Sequence, residues 1–132
     1  MEERLTREQT RTLQATLRAR LAALRDLIHE HLLKSDEDRA RLLADRVRDE
    51  EDESVADLIV DLDLAEIDHD IEELRDVEAA LERIREDAYG VCVGCRGAIP
   101  YERLAAYPTA KRCIRCQTVH EKTYAHRGTP TL

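Results

Sequence analysis

The chain has 132 residues, of which 38% are charged, and it contains neither Phe nor Trp. This composition is poor in the aromatic side chains that fill compact cores, and it is typical of long helices and coiled coils. No apolar run is long enough to cross a membrane and no signal peptide opens the chain, so we expect a cytoplasmic protein without a membrane partner.

The net charge of -8 is spread unevenly along the chain. Residues 1–33 carry a net charge of +1, residues 34–88 carry −14 and residues 89–132 carry +5. Nucleic-acid binding depends on Lys and Arg at the phosphate backbone, so the acidic middle opposes it.

The first predicted element is a long helix. Apolar residues from Leu13 to Leu32 recur at steps of three or four, which places them on one helical face, and the segment has no Gly or Pro. The stripe lapses around Ser35 and resumes at Leu42. The pattern favours one helix, with or without a kink near Ser35, that ends near Arg48.

A second helix is predicted to begin after Ser54. Serine is a preferred N-cap residue, and Asp57 stands where a capping box has Glu or Gln. Apolar residues then recur at steps of three and four from Val60 to Ala88, as in a coiled-coil seam. Residues 55–64 also show some strand-like alternation, but no turn and partner strand accompany it, so we favour a helix.

Five consecutive acidic residues, Asp49–Glu53, separate the two predicted helices. Such a short connection predicts a long antiparallel coiled-coil hairpin over residues 13–88, about 50 Å long, with an acidic tip at about residues 49–54. Residues 1–12 form an N-terminal segment that we expect to pack near the C-terminal domain. The apolar residues expected to pack across the helices behind the tip are Leu42, Val47, Leu58 and Leu62.

The cysteines all lie in the remaining segment, residues 89–132. Their spacing is C-x2-C, seventeen residues, then C-x2-C, which predicts a small zinc-finger domain with one structural Zn²⁺ held by four thiolates. Nearby basic residues would offset the negative charge of that centre. The predicted ligands are Cys92, Cys95, Cys113 and Cys116, and the basic residues are Lys111, Arg112 and Arg115.

Other uses of the four thiols are open to test. Disulfides are uncommon in cytosolic proteins, and a redox C-x-x-C pair usually accompanies a βαβ pattern, which this sequence lacks. The spacing alone does not separate zinc from a four-thiolate iron centre. Four protein ligands leave no position for a catalytic water, so we expect no enzyme activity. His120 lies near the cysteines, but we interpret it as a surface or packing residue.

The chain resembles the DksA/TraR family of four-cysteine zinc-finger proteins. The similarity is carried by a helical hairpin with an acidic tip, followed by "DAYGVCVGC" and "RLAAYPTAKRCIRC". It is strongest over residues 87–117. The resemblance implies an all-α fold with a C-terminal helix after the zinc finger, and a monomer that regulates bacterial transcription.

The resemblance also implies a mechanism. Family members bind RNA polymerase directly and not a DNA sequence; their coiled coil enters the secondary channel, and the acidic tip changes open-complex stability and initiation. The family's tip motif is D-x-x-D-x-A. The corresponding residues here are Asp49, Asp52 and Ser54, so Ser replaces Ala.

A second departure concerns guanosine tetraphosphate, which basic side chains help to hold in the best-known family members. The positions that correspond by offset from the cysteines are Asp76, Tyr107 and Gln117. None of these side chains is basic, and a carboxylate repels phosphate. We therefore expect little response to this nucleotide and no cofactor-binding residues for it.

Two other functions fit parts of the sequence. One is a zinc module that binds nucleic acid through Arg96, Arg103, Lys111, Arg112 and Arg115. The other is a coiled-coil adaptor that dimerises through the Leu13–Ile28 face. A thiol oxidoreductase is the least compatible class.

Overall fold

The structure is a computed structural model, and it describes residues 4–34, 38–49, 54–59 and 67–127. Within these ranges the chain forms six helices and no strand; its single β-bridge joins Val91 to Ala98. No helix in the described part of the chain is both long and apolar enough to cross a membrane. The helices are α1 (Arg7–Leu33), α2 (Asp38–Asp49), α3 (Val55–Leu58), α4 (Asp68–Arg85), α5 (Tyr101–Ala106) and α6 (Ile114–Arg127).

Helix α1 begins at a capping box. The Thr6 hydroxyl accepts a hydrogen bond from the backbone N–H of Gln9, and the Gln9 side chain accepts one from the N–H of Thr6, each at 3.0 Å. These bonds satisfy two donors that a helix start otherwise leaves unpaired. The buried face of α1 is the predicted apolar stripe except Leu21, which is partly buried, and consists of Leu13, Leu17, Leu24, Ile28 and Leu32.

Helix α2 folds back along α1. Nδ1 of His29 donates a hydrogen bond to the carbonyl oxygen of Ala44, at 2.7 Å. Residues fifteen apart in one continuous helix would be about 22 Å apart, so this contact requires the chain to reverse between α1 and α2. The N–H of Lys34 closes the end of α1 on the carbonyls of Glu30 and His31.

The structure therefore differs from the single long first helix that the sequence favoured. The physical reason is that the apolar face of α2 is made of small side chains, Ala40, Ala44 and Val47, all 0% exposed, which allow close approach to α1. Leu42, which was expected to pack across the helices, is instead 77% exposed, and that prediction is wrong. Leu58 is partly buried, and Leu62 lies outside the described residues.

Helix α4 runs antiparallel to α1. Two guanidinium nitrogens of Arg20 donate hydrogen bonds to the Glu73 carboxylate, one of them at 2.7 Å. Leu5, just before α1, lies against Gly90, which follows α4. The start of α1 is therefore close to the end of α4, as in an antiparallel pair. Helix α4 buries Leu74, Val77 and Ala80, in the same core as α1 and α2.

A second, smaller core lies around the cysteines. It contains Leu13 of α1 together with Cys92, Ile99, Leu104 and Ala110, with Leu5 packed against it. The segment before α1 thus packs on the cysteine-containing domain. Gly90 has φ +82°, and a Cβ there would stand 3.0 Å from a Leu5 methyl, so both backbone and packing favour glycine.

The predicted all-α class, with a four-cysteine domain and a C-terminal helix, is confirmed. The details of the hairpin remain a prediction. Of its acidic tip, the structure describes the backbone of Asp49, which ends α2, and it describes Ser54; residues 50–53 lie outside the described ranges.

Candidate metal centre and acidic segment

A tight loop presents the first cysteine pair. The N–H of Cys92 donates to the carbonyl of Gly97 at 2.8 Å, and the N–H of Arg96 donates to the carbonyl of Cys92 at 2.9 Å. Arg96 takes a left-handed conformation with φ 65°, which turns the chain sharply after Cys95. The loop thereby directs two thiols to one side.

The second pair lies at the start of α6, whose first turn contains Cys116, with Cys113 immediately before it. The N–H of Val93 donates to the carbonyl of Lys111 at 2.9 Å and joins the two cysteine loops. A Cβ at Gly94 would stand 3.1 Å from both Cβ and Sγ of Cys116. Glycine therefore lets the loops approach closely enough for the four thiols to meet.

All four predicted ligands converge. Their sulfur atoms lie within 4.8 Å of one another, and those of Cys95 and Cys113 are 4.0 Å apart. Zinc–thiolate bonds of about 2.3 Å in a tetrahedron place sulfur atoms about 3.8 Å apart. The described residues contain no other such group of His, Cys, Asp or Glu, and His120 does not belong to it.

The electrostatics of the four thiols favour a bound cation. Burial opposes ionisation of Cys92, but hydrogen bonds from backbone N–H groups, including those of Cys95 and Gly94, outweigh it and lower the pKa to about 6. Hydrogen bonds with the thiols of Cys113 and Cys92 raise the pKa of Cys116 to about 12. Cys92 therefore ionises readily, whereas Cys116 resists ionisation. A divalent cation bound between the sulfur atoms stabilises both residues as thiolates.

On the acidic segment, the structure describes Ser54 and its surroundings. The Ser54 hydroxyl accepts a hydrogen bond from the N–H of Asp57 at 3.1 Å, which confirms the predicted N-cap. It also donates to Glu78 of α4 at 2.7 Å, and the N–H of Val55 donates to the other Glu78 oxygen at 2.9 Å. The sequence pattern did not indicate Glu78, because no local spacing links it to a residue 24 positions earlier.

The three positions tied to the nucleotide line one cavity of about 400 Å³ between α4 and the cysteine-containing domain. Its wall also carries basic side chains that the sequence pattern did not place there: Arg83, Arg103, Lys111 and Arg112. Burial lowers the pKa of Arg83, while Arg103 donates to the carbonyl of Arg112 at 2.8 Å. The position of Arg83 beside Asp76 could have been predicted from the sequence, since residues seven apart lie on the same face of a helix.

Comparison with known proteins gives consistent similarities. Residues 88–122 match the family described as the prokaryotic dksA/traR C4-type zinc finger. General stress protein 16O of Bacillus subtilis is 38% identical over 63 residues, which cover 48% of this chain and 37% of that protein. The RNA polymerase-binding transcription factor DksA of Haemophilus influenzae is 36% identical over 78 residues, which cover 59% of this chain and 49% of that protein.

The match to these curated relatives spans less than half of their length. A longer match is found with the solution structure of the DnaK suppressor protein from Agrobacterium tumefaciens C58. It is 29% identical, with a TM-score of 0.55, and the match covers 83% of this chain and 91% of that one.

The helices and the four converging thiols define a helical protein with a C4-type zinc finger that holds one structural zinc ion. Within that class, residues 88–122 match the dksA/traR type of C4 zinc finger, and the chain is similar to DksA proteins and to a solved DnaK suppressor protein.

Loss of one thiol should unfold the cysteine-containing domain. We expect Cys113→Ser to lose the single equivalent of zinc and to lower Tm by about 10 °C or more, because the metal supplies much of this domain's folding free energy. Zinc content by mass spectrometry and thermal unfolding measure both effects. Ile114→Ser, which alters the adjacent side chain, 65% exposed, is the matched control and should keep its zinc. A Cys113→Ser protein with full zinc content and unchanged Tm would contradict the assignment.

Proposed function

We propose that the chain is a bacterial transcription regulator that binds RNA polymerase directly. In this proposal the helical part enters the secondary channel, and Asp49, Asp52 and Ser54 modulate open-complex stability and initiation. The zinc ion is structural, with Cys92 and the three other cysteines as its ligands. The protein works in the cytoplasm as a monomer, and it is not an enzyme.

One observation carries the proposal. The four-cysteine finger and the helices match a solved DnaK suppressor protein over 91% of its length, and curated relatives are named RNA polymerase-binding transcription factors. The match to the solved protein therefore extends well beyond the finger, into the helical part that the proposal places in the channel.

The charge distribution is compatible with this mechanism. An acidic helical part and a basic C-terminal domain can meet surfaces of opposite charge at two places on one partner. Such complementarity mainly sets encounter rate and orientation. The same acidic part opposes binding to free DNA, because a phosphate backbone repels it.

The structure weakens the two alternative functions. For the adaptor, the Leu13–Ile28 face is already buried within the chain, since Leu13, Leu17, Leu24 and Ile28 are at most 2% exposed. For the nucleic-acid module, Arg103 is engaged with the Arg112 carbonyl and lies 5.8 Å over the Tyr107 ring. Salt-sensitive DNA binding without polymerase would favour that module instead.

The reversal between α1 and α2 adds a second acidic connection to consider. Because Leu13 of α1 packs on the zinc-finger domain, the other end of α1, at Leu33, lies about 30 Å away. That end adjoins Asp36, Glu37 and Asp38 in the sequence. We assign the activity to residues 49–54 and not to this second acidic segment, because Asp49 and Asp52 have the D-x-x-D spacing of the family's tip motif and residues 36–38 do not.

Removing one tip charge should separate binding from regulation. We expect Asp52→Asn to reduce the effect on a sensitive promoter at least about fivefold, while the Kd for polymerase stays within about threefold, since most single residues of an interface contribute little to affinity. In vitro transcription and competition with a transcript-cleavage factor for the channel measure these quantities.

Matched neutral variants control for charge alone. Glu51→Gln, within the same acidic run, and Asp36→Asn, in the α1–α2 connection, should leave the promoter effect within about twofold, because a diffuse surface charge is screened by salt. An unchanged effect in Asp52→Asn, or a larger loss in Asp36→Asn, would contradict the assignment of the tip.

The response to guanosine tetraphosphate should be weak. Asp76 in the cavity wall repels phosphate, and we expect less than about a threefold change in polymerase affinity at saturating nucleotide. Asp76→Lys should increase the response, whereas the control Ala79→Lys on the same wall should change it less. The cavity's four basic side chains act against this expectation. A large nucleotide effect on the unmodified protein would show that they prevail.

A further inference from the structure

One carboxylate fastens the end of the acidic run to the helical core. Glu78 of α4 accepts hydrogen bonds from two adjacent groups, the Ser54 hydroxyl at 2.7 Å and the Val55 N–H at 2.9 Å, and these contacts are partly buried. Hydrogen bonds to a charged acceptor are stronger than neutral ones. Two bonds to the two oxygens of one group fix orientation as well as distance.

The surroundings restrict the segment further. Val55, Ala56 and Ile59 are at most 1% exposed, so the chain after Ser54 is held in the core. On the other side of the acidic run, Val47 of α2 is 0% exposed. Seven residues, 48–54, separate Val47 from Val55 in the sequence.

The Ser54 contact is a property of this chain. The tip motif of the family it resembles has Ala at this position, and an alanine side chain can neither donate to Glu78 nor cap α3. A weaker contact supports the same arrangement, an exposed ion pair of 3.9 Å between Asp57 and Arg75, one turn before Glu78 on α4.

We propose that Ser54 and Glu78 are positioning residues for regulation: their contact fixes the start of α3, which directly follows the acidic run in the sequence, against α4. This proposal rests on the proposed function, because the readout that distinguishes positioning from mere stability is regulation of polymerase. In this role the Ser54 hydroxyl acts through its bond to Glu78 and not only as an N-cap.

Four variants test the contact. Ser54→Ala removes the hydroxyl, and Glu78→Gln removes the charge and one acceptor oxygen. A double variant combines these two changes. Ser54→Thr keeps a hydroxyl that can both donate to Glu78 and cap α3. The matched control is Glu82→Gln, one turn further along α4, whose carboxylate pairs with Arg85 across 3.5 Å at an exposed site. Zinc content and Tm verify that each variant is folded.

The first readout does not involve polymerase. Amide hydrogen exchange at Val55 and Asp57 should accelerate in Ser54→Ala, and exchange at Val55 should accelerate in Glu78→Gln. Losing a bond of this kind changes a local opening equilibrium about three- to thirtyfold. Exchange should stay at the unmodified rate in Ser54→Thr and Glu82→Gln. Unchanged exchange at Val55 in both altered variants would overturn the proposal, because the contact would then hold nothing in place.

The second readout is regulation. Ser54→Ala and Glu78→Gln should each lower the promoter effect about three- to tenfold, with the Kd for polymerase within about threefold. Ser54→Thr should restore the effect to within about twofold. The double variant should be no weaker than the weaker single variant, since residues that act through one contact are not additive.

Three results would overturn the positioning role: an unchanged effect despite faster exchange, a stronger effect, or additive losses in the double variant. Failure of the proposed function is recognised separately, because the unmodified protein would then not bind polymerase or Asp52→Asn would keep full activity. That result would overturn the positioning role as well, while the exchange measurement would still establish the contact.

Discussion

The rest of the structure depends on the packing of the buried face of α1 against the other helices and the cysteine-containing domain. Its apolar residues meet α2 and α4 in the larger core, and at Leu13 the same face enters the smaller core beside Cys92. Complete burial of one Leu or Ile contributes about 1.5–3 kcal/mol, so several such residues on one face supply a large share of the stabilisation of both cores. The helices and the finger are thus joined by a single continuous element.

This arrangement assigns different tasks to the two ends of the chain. The finger obtains its order from the metal, since only a few side chains surround the cysteines and the backbone loops converge on the sulfur atoms. The helical part obtains its order from packing, and its surface carries the acidic charge. Between them lies a cavity whose wall combines Asp76 with basic side chains, so the domain junction brings charges of both signs together.

Much of the finger was predictable because its constraint is local. Ligand type and spacing specify a metal site whatever the distant parts of the chain do, and the four thiols meet as the C-x2-C pairs predicted. The stripe of α1 was equally clear, since Leu and Ile at steps of three and four are the pattern of an amphipathic helix. The Ser54 cap followed from the same kind of local rule, as the preferred residue immediately before a helix.

The relation between helices was not predictable in the same way. Ala40 and Ala44 form the packed face of α2, while the more hydrophobic Leu42 faces outward, so hydrophobicity alone selected the wrong face. Small side chains are favoured where two helices pack closely. The sequence of α2 alone does not show that α1 packs closely against it. The role of Glu78 was not predictable for a related reason. Its partner Ser54 is distant in sequence, and one carboxylate on an acidic helix does not stand out from the others.

The most direct test of the central claim is a structure of this chain bound to RNA polymerase holoenzyme. The proposed function predicts the helical part inside the secondary channel, the zinc finger at its outer rim, and Asp52 facing the active site. Binding elsewhere on the enzyme, or an arrangement in which residues 36–38 lead into the channel while Asp52 faces away from the active site, would contradict it.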